Sequence, residues 1–126
     1  MHHYQQLDIW RRGLTLSAEL HRHARSVRPA WSDRSLLDQI TRAATSVPAN
    51  VAEGALRGTN REFARFLSIA MASAAELHSL LILAGECGLL EVEQAERWCD
   101  EAVALRRMAA GLRARANGDR QWRNKQ

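Results

Sequence analysis

Apolar residues recur at the three- and four-residue spacing of an α-helix in four segments of this chain, separated by three short links. In the last segment, Trp98, Leu105 and Leu112 repeat every seven residues on one face. The spacing predicts helices at about residues 6–25, 33–56, 60–87 and 92–116. Links of seven, three and four residues make consecutive helices antiparallel neighbours. We therefore predict an all-α fold, an up-down-up-down antiparallel four-helix bundle.

The helix ends carry their own signals. Ser32 or Asp33 can cap the second helix, and Thr59 with Glu62 three residues later forms a capping box at the start of the third. Gly88 is expected just beyond the end of the third helix, where a left-handed backbone is common.

Pro48 falls inside the second helical pattern, where a proline removes one backbone hydrogen bond and costs roughly 3 kcal/mol. The apolar phase nevertheless passes through it, since Val47 and Val51 stay on one face. We predict a helix that is kinked at Pro48 but continuous. The carbonyl of Ala44, which loses its donor, would be met by water or by a hydroxyl such as that of Thr45.

Two polar residues after the proline, Asn50 and Glu53, raise the question of an active site. Glu53 has Arg57 four residues later, and Asn50 lies one turn before Gly54 and the link to the third helix. We interpret both residues as fastening the corner between the second and third helices.

The bulk numbers favour one compact domain. A chain of 126 residues with 46% apolar residues fits a single domain over residues 1–116, followed by a basic, frayed tail over residues 117–126. Neither a secretory signal nor about 18 uninterrupted apolar residues is present, so we expect a cytoplasmic protein without a membrane partner. Cys87 and Cys99 are interpreted as small buried apolar residues.

The residues of common catalytic and metal sites are missing from this pattern. Di-iron bundles use Glu-x-x-His pairs on one helix face, whereas Glu19 with His21 and Glu76 with His78 are two residues apart and point about 200° away from each other. The sequence has no Walker-type glycine loop, GxSxG or CxxC. We expect no catalytic residue, cofactor or metal, and therefore not an enzyme.

The third helix is apolar on more than one side, which requires cover on more than one side. Beside its core face runs a row of small residues: Ser68, Ala72, Ala75 and Ser79. Either this helix is central or a second copy covers it, and we predict self-association through the small-residue row. The alternative is a broad alanine-rich face that tolerates water.

Charge is unevenly distributed along the chain. The formal net charge is +4 with a pI of about 10.0, and 17 of the 18 basic residues are arginine. Residues 86–101 carry six acids and one arginine, whereas residues 106–126 carry six arginines and one lysine against one aspartate. A GC-rich genome can also produce many Arg and Ala codons, so the distribution says more than the total.

Several arginines have an acid one turn earlier, which predicts the surface ion pairs Asp8–Arg12, Asp38–Arg42, Glu53–Arg57 and Glu93–Arg97. Six others lack an acid at that spacing and are candidates for binding a nucleic-acid backbone: Arg61, Arg65, Arg106, Arg107, Arg113 and Arg115. Trp122 in the tail could stack on a base. Alternatively, the basic residues late in the fourth helix only favour its dipole.

Three segments, LDIWRRG, QITRAATSVPANVAEGALR and EFARFLSIAMASAAEL, resemble the four-helix-bundle proteins encoded in intervening sequences of bacterial 23S rRNA genes. The match is most specific in the second segment. Its family-motif positions, to which we assign a structural role, are Gln39, Arg42, Ser46, Pro48, Asn50, Glu53 and Gly54.

The resemblance implies a non-catalytic bundle that assembles as a homopentamer. The family is also similar to accessory proteins of diversity-generating retroelements, pentamers that bind nucleic acid and a reverse transcriptase. We therefore expect an oligomer that binds RNA or DNA electrostatically. The alternative is a structural or protein-interaction module with a protein partner and no nucleic-acid role.

Overall fold

A computed structural model of the protein describes residues 3–27 and 31–118. A 3-10 turn at Tyr4–Gln6 precedes four long helices: α1 (Asp8–Ser26), α2 (Trp31–Ala55), α3 (Asn60–Glu86) and α4 (Val92–Ala116). These described residues contain no strand, which confirms the predicted all-α class. The predicted frayed tail lies almost entirely outside them, since residues 119–126 are not described.

The helices pack as a bundle in chain order. α3 packs against both α2 and α4, and α1 packs against α2 and more sparingly against α4. All four helices contribute to one core, whose largest fully buried side chains are Ile9, Ile40, Leu67, Leu77, Leu81, Leu105, Val47 and Val51. Burying one such side chain contributes about 1.5–3 kcal/mol, so the apolar stripes hold the four helices together.

Helix ends follow the sequence signals in part. The hydroxyl of Thr59 accepts a hydrogen bond from the backbone N–H of Glu62 at 3.2 Å, which caps α3. Gly88 has a φ of 80° just beyond the C-cap residue Cys87, as predicted. The predicted cap of α2 is wrong, because α2 begins at Trp31 and places residues 32 and 33 inside its first turn.

α2 runs through Pro48 without a break, as the apolar pattern predicted. The proline is buried, and its ring lies where α1 comes close: a Cβ on Gly13 would be 3.2 Å from Pro48 Cδ. The expected role of Thr45 is wrong. Its hydroxyl donates to the carbonyl of Thr41 at 2.8 Å instead of serving Ala44.

Polar side chains around Pro48 form hydrogen bonds within α2 and across to α3. The amide of Asn50 donates to the carbonyl and the hydroxyl of Ser46 at 2.8 and 2.9 Å. The hydroxyl of Ser46 in turn lies 2.7 Å from the hydroxyl of Ser73 on α3. Glu53 accepts from Arg57 at 2.7 Å. Of these contacts, Ser46–Ser73 crosses between the middle parts of α2 and α3, whereas Asn50 bonds within α2 and Glu53 bonds a residue just after α2 ends.

Gly54 allows α2 and α3 to approach each other closely near the link between them. A Cβ at this position would lie 2.6 Å from the Cβ of Phe66, closer than real Cβ contacts allow. The absence of a side chain therefore lets the first turns of α3 pack directly on α2. The other two motif residues, Gln39 and Arg42, are exposed on α2.

Three of the four predicted surface ion pairs are wrong. Among the described residues, Glu53–Arg57 forms, while Asp8 pairs with Arg11 three residues later. Arg12 crosses to α4 and donates from Nε to Glu101 at 3.0 Å, a hydrogen bond that raises its pKa. A partner on another helix displaces the local one, and Arg12–Glu101 ties α1 to α4.

The interpretation of both cysteines as buried residues needs correction. Cys87 is exposed and Cys99 is half-buried, because Cys87 caps α3 where the chain turns away from the core. α3 is also long and apolar enough, with a mean hydropathy of 1.7, to cross a membrane by length and composition alone. Core helices of soluble proteins pass the same test, and one face of α3 lies in the core described above.

Candidate nucleic-acid interface

Three of the six candidate arginines meet where α3 begins and α4 ends. The two helices are antiparallel, so the first turns of α3 lie beside the last turns of α4. Arg61, Arg65 and Arg113 border a cavity of about 610 Å³ there, together with Ser68 and Asn117. We call these three arginines the arginine cradle.

Two arginines of the cradle are held by contacts within the protein. Arg113 crosses from α4 and donates to the hydroxyl of Ser68 on α3 at 3.3 Å. Arg65 donates from Nε to a carboxylate oxygen of Glu62 at 2.7 Å, and its guanidinium lies 4.4 Å from the centre of the Phe66 ring. Such contacts restrict the side chains before any ligand binds, which lowers the entropic cost of binding.

Glu62 also lines the cavity and moderates its charge. The hydrogen bond from Arg65 lowers the pKa of Glu62, and Arg57 and Arg61 act in the same direction through their charges. The carboxylate is therefore ionised at neutral pH and competes with any anion for Arg65. Arg65 lacks an acid four residues earlier, as predicted, and pairs instead with Glu62 three residues earlier.

The remaining candidates lie outside the cavity. Arg106, Arg107 and Arg115 are exposed on α4 and do not border it. Arg57, predicted as the ion-pair partner of Glu53, was not among the candidates. Its guanidinium nevertheless lies 4.9 Å from the centre of the Phe66 ring, beside the cradle. Arg57 comes immediately before the link that leads to Arg61, and this proximity along the chain is the signal that could have found it.

The small-residue row of α3 begins at the cradle and runs away from it. Ser68 is half-buried, whereas Ala72, Ala75 and Ser79 are exposed. Exposed apolar side chains continue the surface, with Ile82 48% and Leu83 51% exposed. We call Ala72, Ala75, Ser79, Ile82 and Leu83 the outer face of α3. In the described part of the single chain, this apolar surface meets water.

Metal-binding geometry does not occur at this site. Among the described residues, no group of three or more His, Cys, Asp and Glu side chains is placed to hold a metal ion.

The fold places this chain among all-α four-helix bundles. It matches a solved structure of a protein of unknown function from the S23 ribosomal protein family of Bacteroides thetaiotaomicron with a TM-score of 0.74 and 20% identity. The match covers 80% of this chain and 94% of that one, and at this identity it shows the fold alone. Curated proteins give no significant match.

A family model settles the membership. The model of the 23S rRNA-intervening sequence protein matches residues 5–111, most of the chain. The chain belongs to this family, as the motif in the second helix predicted.

Proposed function

We propose that this member of the 23S rRNA-intervening sequence family is a non-catalytic, cytoplasmic oligomer that binds RNA or DNA electrostatically through the arginine cradle. The observation that carries the proposal is the convergence of Arg61, Arg65 and Arg113 on one cavity from two different helices.

Phosphate is the group that this cavity suits best. Guanidinium groups offer several N–H donors in a fixed fork that matches phosphate oxygens. Arg113 and Arg65 are already held in place by Ser68 and Phe66, and Arg61 is exposed at the first turn of α3. These groups would contact the backbone and not the base edges, so binding should depend little on sequence.

Assembly would strengthen such binding. We propose that copies associate through the outer face of α3 to form a homopentamer, as the family resemblance implies. Ser68 lies between the cradle and the outer face, so each cradle would sit at the margin of a subunit contact. Five copies of a chain with a net charge of +4 would carry about +20, a strong field for polyanions.

The test of nucleic-acid binding is a filter-binding titration of the full chain with single-stranded RNA and DNA at two salt concentrations. We expect binding that falls steeply with salt, since released counterions drive it. The variant Arg61→Gln/Arg113→Gln should weaken binding about tenfold or more. The matched control is Arg22→Gln/Arg34→Gln, which removes two exposed arginines of α1 and α2 and should bind like the wild type.

Absence of binding at low salt, or binding indifferent to salt, would reject the nucleic-acid function. Equal losses in the cradle variant and its control would reject the cradle as the site. A pull-down that recovers a protein partner and no nuclease-sensitive material would favour the alternative, a protein-interaction module.

The assembly is tested by measuring the native mass of the full chain. We expect five copies, and Ala75→Arg on the outer face should yield smaller species. Ala49→Arg is the control, because Ala49 is an exposed alanine of α2. A monomeric wild type, or a disruption by both variants alike, would contradict this part of the proposal.

A further inference from the structure

A second cavity lies at the opposite end of the α3–α4 pair, where α3 ends and α4 begins. It has a volume of about 480 Å³. Its wall is formed by apolar or weakly polar residues, namely Ile82, Gly85, Val92, Ala95 and Cys99, and by the polar residues His78, Glu86, Glu96 and Asp100. We call this cavity the acidic groove.

The groove combines apolar surface with negative charge. Val92 is 61% exposed and Ile82 48% exposed, so both would gain by being covered. Glu86, Glu96 and Asp100 are exposed around them. Burial raises the pKa of the Cys99 thiol, and Asp100 and Glu96 raise it further. A fitting ligand therefore has a large apolar group flanked by cations.

The chain itself contains one segment of that kind. Residues 119–126 read DRQWRNKQ, in which Trp122 stands among Arg120, Arg123 and Lys125. This segment lies outside the described residues and follows the end of α4. Tryptophan and arginine are the side chains that most often anchor protein interfaces, and three cations complement the three carboxylates of the groove.

The reach of the chain decides which groove the segment can enter. Val92, the groove residue of α4 that Trp122 would contact, lies 24 residues before Ala116, which is about 36 Å along α4 at 1.5 Å per residue. The six residues from Ala116 to Trp122 span at most about 21 Å when fully extended. Trp122 therefore falls short of Val92 on its own chain.

We propose that the basic segment 119–126 of one copy docks in the acidic groove of a second copy, with Trp122 against Ile82 and Val92. The docking does not depend on nucleic-acid binding, and it shares one residue, Ile82, with the outer face of α3. The basic segment then binds to a second copy of the same chain.

The experiment is site-specific photo-crosslinking of the full chain, purified free of nucleic acid. Trp122 is replaced by the photoreactive residue p-benzoylphenylalanine, and irradiated samples are resolved on a denaturing gel. We expect a crosslinked dimer, in which mass spectrometry joins residue 122 of one chain to residues 78–100 of another. Crosslinks confined to one chain, crosslinks to other surfaces, or no crosslink would overturn the proposal.

Charge variants in the same background show whether the groove is responsible. Glu96→Gln/Asp100→Asn should reduce the crosslinked dimer about fivefold, since two attractive charges are lost. The control Asp38→Asn/Glu76→Gln removes two exposed carboxylates outside the groove and should leave the dimer unchanged. Equal yields in both variants would contradict docking in the groove. Because the cradle is intact and nucleic acid absent, failure here leaves the proposed nucleic-acid function standing.

Discussion

The two ends of the α3–α4 pair carry cavities of similar size and opposite charge, and the helix dipole accounts for the end charges of α4 but only in part for those of α3. On α4, acids lie near the N-terminus and arginines near the C-terminus, where the helix dipole favours each. On α3 the first turn holds both Arg61 and the acid Glu62, and the last residue is the acid Glu86. Arg61 and Glu86 therefore oppose the dipole of α3, whereas Glu62 favours it.

The two ends also differ in how tightly they pack, and the largest expected effect tests this difference. Gly54→Ala would force a Cβ to within 2.6 Å of Phe66 Cβ, beneath the cradle. We expect the free energy of unfolding to fall by about 2 kcal/mol, measured by urea denaturation. Gly85→Ala at the acidic end meets only Ala95 Cβ, at 3.2 Å, and should cost less than half as much. Equal decreases in the free energy of unfolding would show that the two ends are packed equally tightly.

Charge reversal at the two ends of α3 separates binding from stability. Arg61→Glu should lower the affinity for RNA or DNA about tenfold, while raising the free energy of unfolding by about 0.5 kcal/mol through the dipole. Glu86→Arg should raise stability by a similar amount without lowering nucleic-acid affinity. The measurements are filter binding and urea denaturation. A loss of nucleic-acid binding in both variants would show that binding is not confined to the basic end of α3.

Glu62 gives a smaller and pH-dependent effect at the basic end. Glu62→Gln frees Arg65 and should raise nucleic-acid affinity about threefold at neutral pH. Because Arg65 lowers the pKa of Glu62, the wild type should approach the variant only when the pH falls below the ordinary carboxyl value of 4.5.

The sign for stability follows from the same shift. A lowered pKa in the folded state means that ionised Glu62 stabilises the fold at neutral pH and ceases to do so as the pH falls through that pKa. The stability difference between wild type and variant should therefore vanish in acid. A difference that persists at low pH would contradict the role of the Glu62 charge.

The last expected difference changes neither stability nor binding, and it concerns the two cysteines at the acidic end. Cys99 is half-buried with a raised pKa, whereas Cys87 is exposed. Since the thiolate is the reactive form, iodoacetamide should modify Cys99 about tenfold more slowly than Cys87 at neutral pH. Peptide mapping over time measures both rates. Equal rates would show that the groove does not shield Cys99.

The sequence predicted the four helices to within a few residues because helical periodicity is a local property. It also predicted that α2 passes through Pro48, since the apolar phase on both sides is the same. Contacts between helices were missed: Arg12 finds Glu101 on α4, 89 positions away, in place of Asp8. Pairwise spacing within one helix contains no information about such a partner.

The cradle itself was only half predictable. Its arginines were identified as candidates, and the antiparallel arrangement of α3 and α4 could have brought Arg65 and Arg113 together, since both lie 24 residues from residue 89 in the link. The cavity between them and the hydrogen bond from Arg113 to Ser68 depend on how far the two helices are separated. That separation is set by side-chain packing between the helices and cannot be deduced from the sequence of either helix alone.

The contact between Gly13 and Pro48 has a consequence for how this sequence can vary. A Cβ on residue 13 would lie 3.2 Å from the proline ring, so α1 and α2 share one small space between them. A larger side chain at residue 13 would require the proline ring to shift by about a few tenths of an ångström, so it is easier to accommodate where residue 48 is smaller. Across relatives of this chain, the two positions are therefore expected to change together, as a single inherited unit spanning two helices.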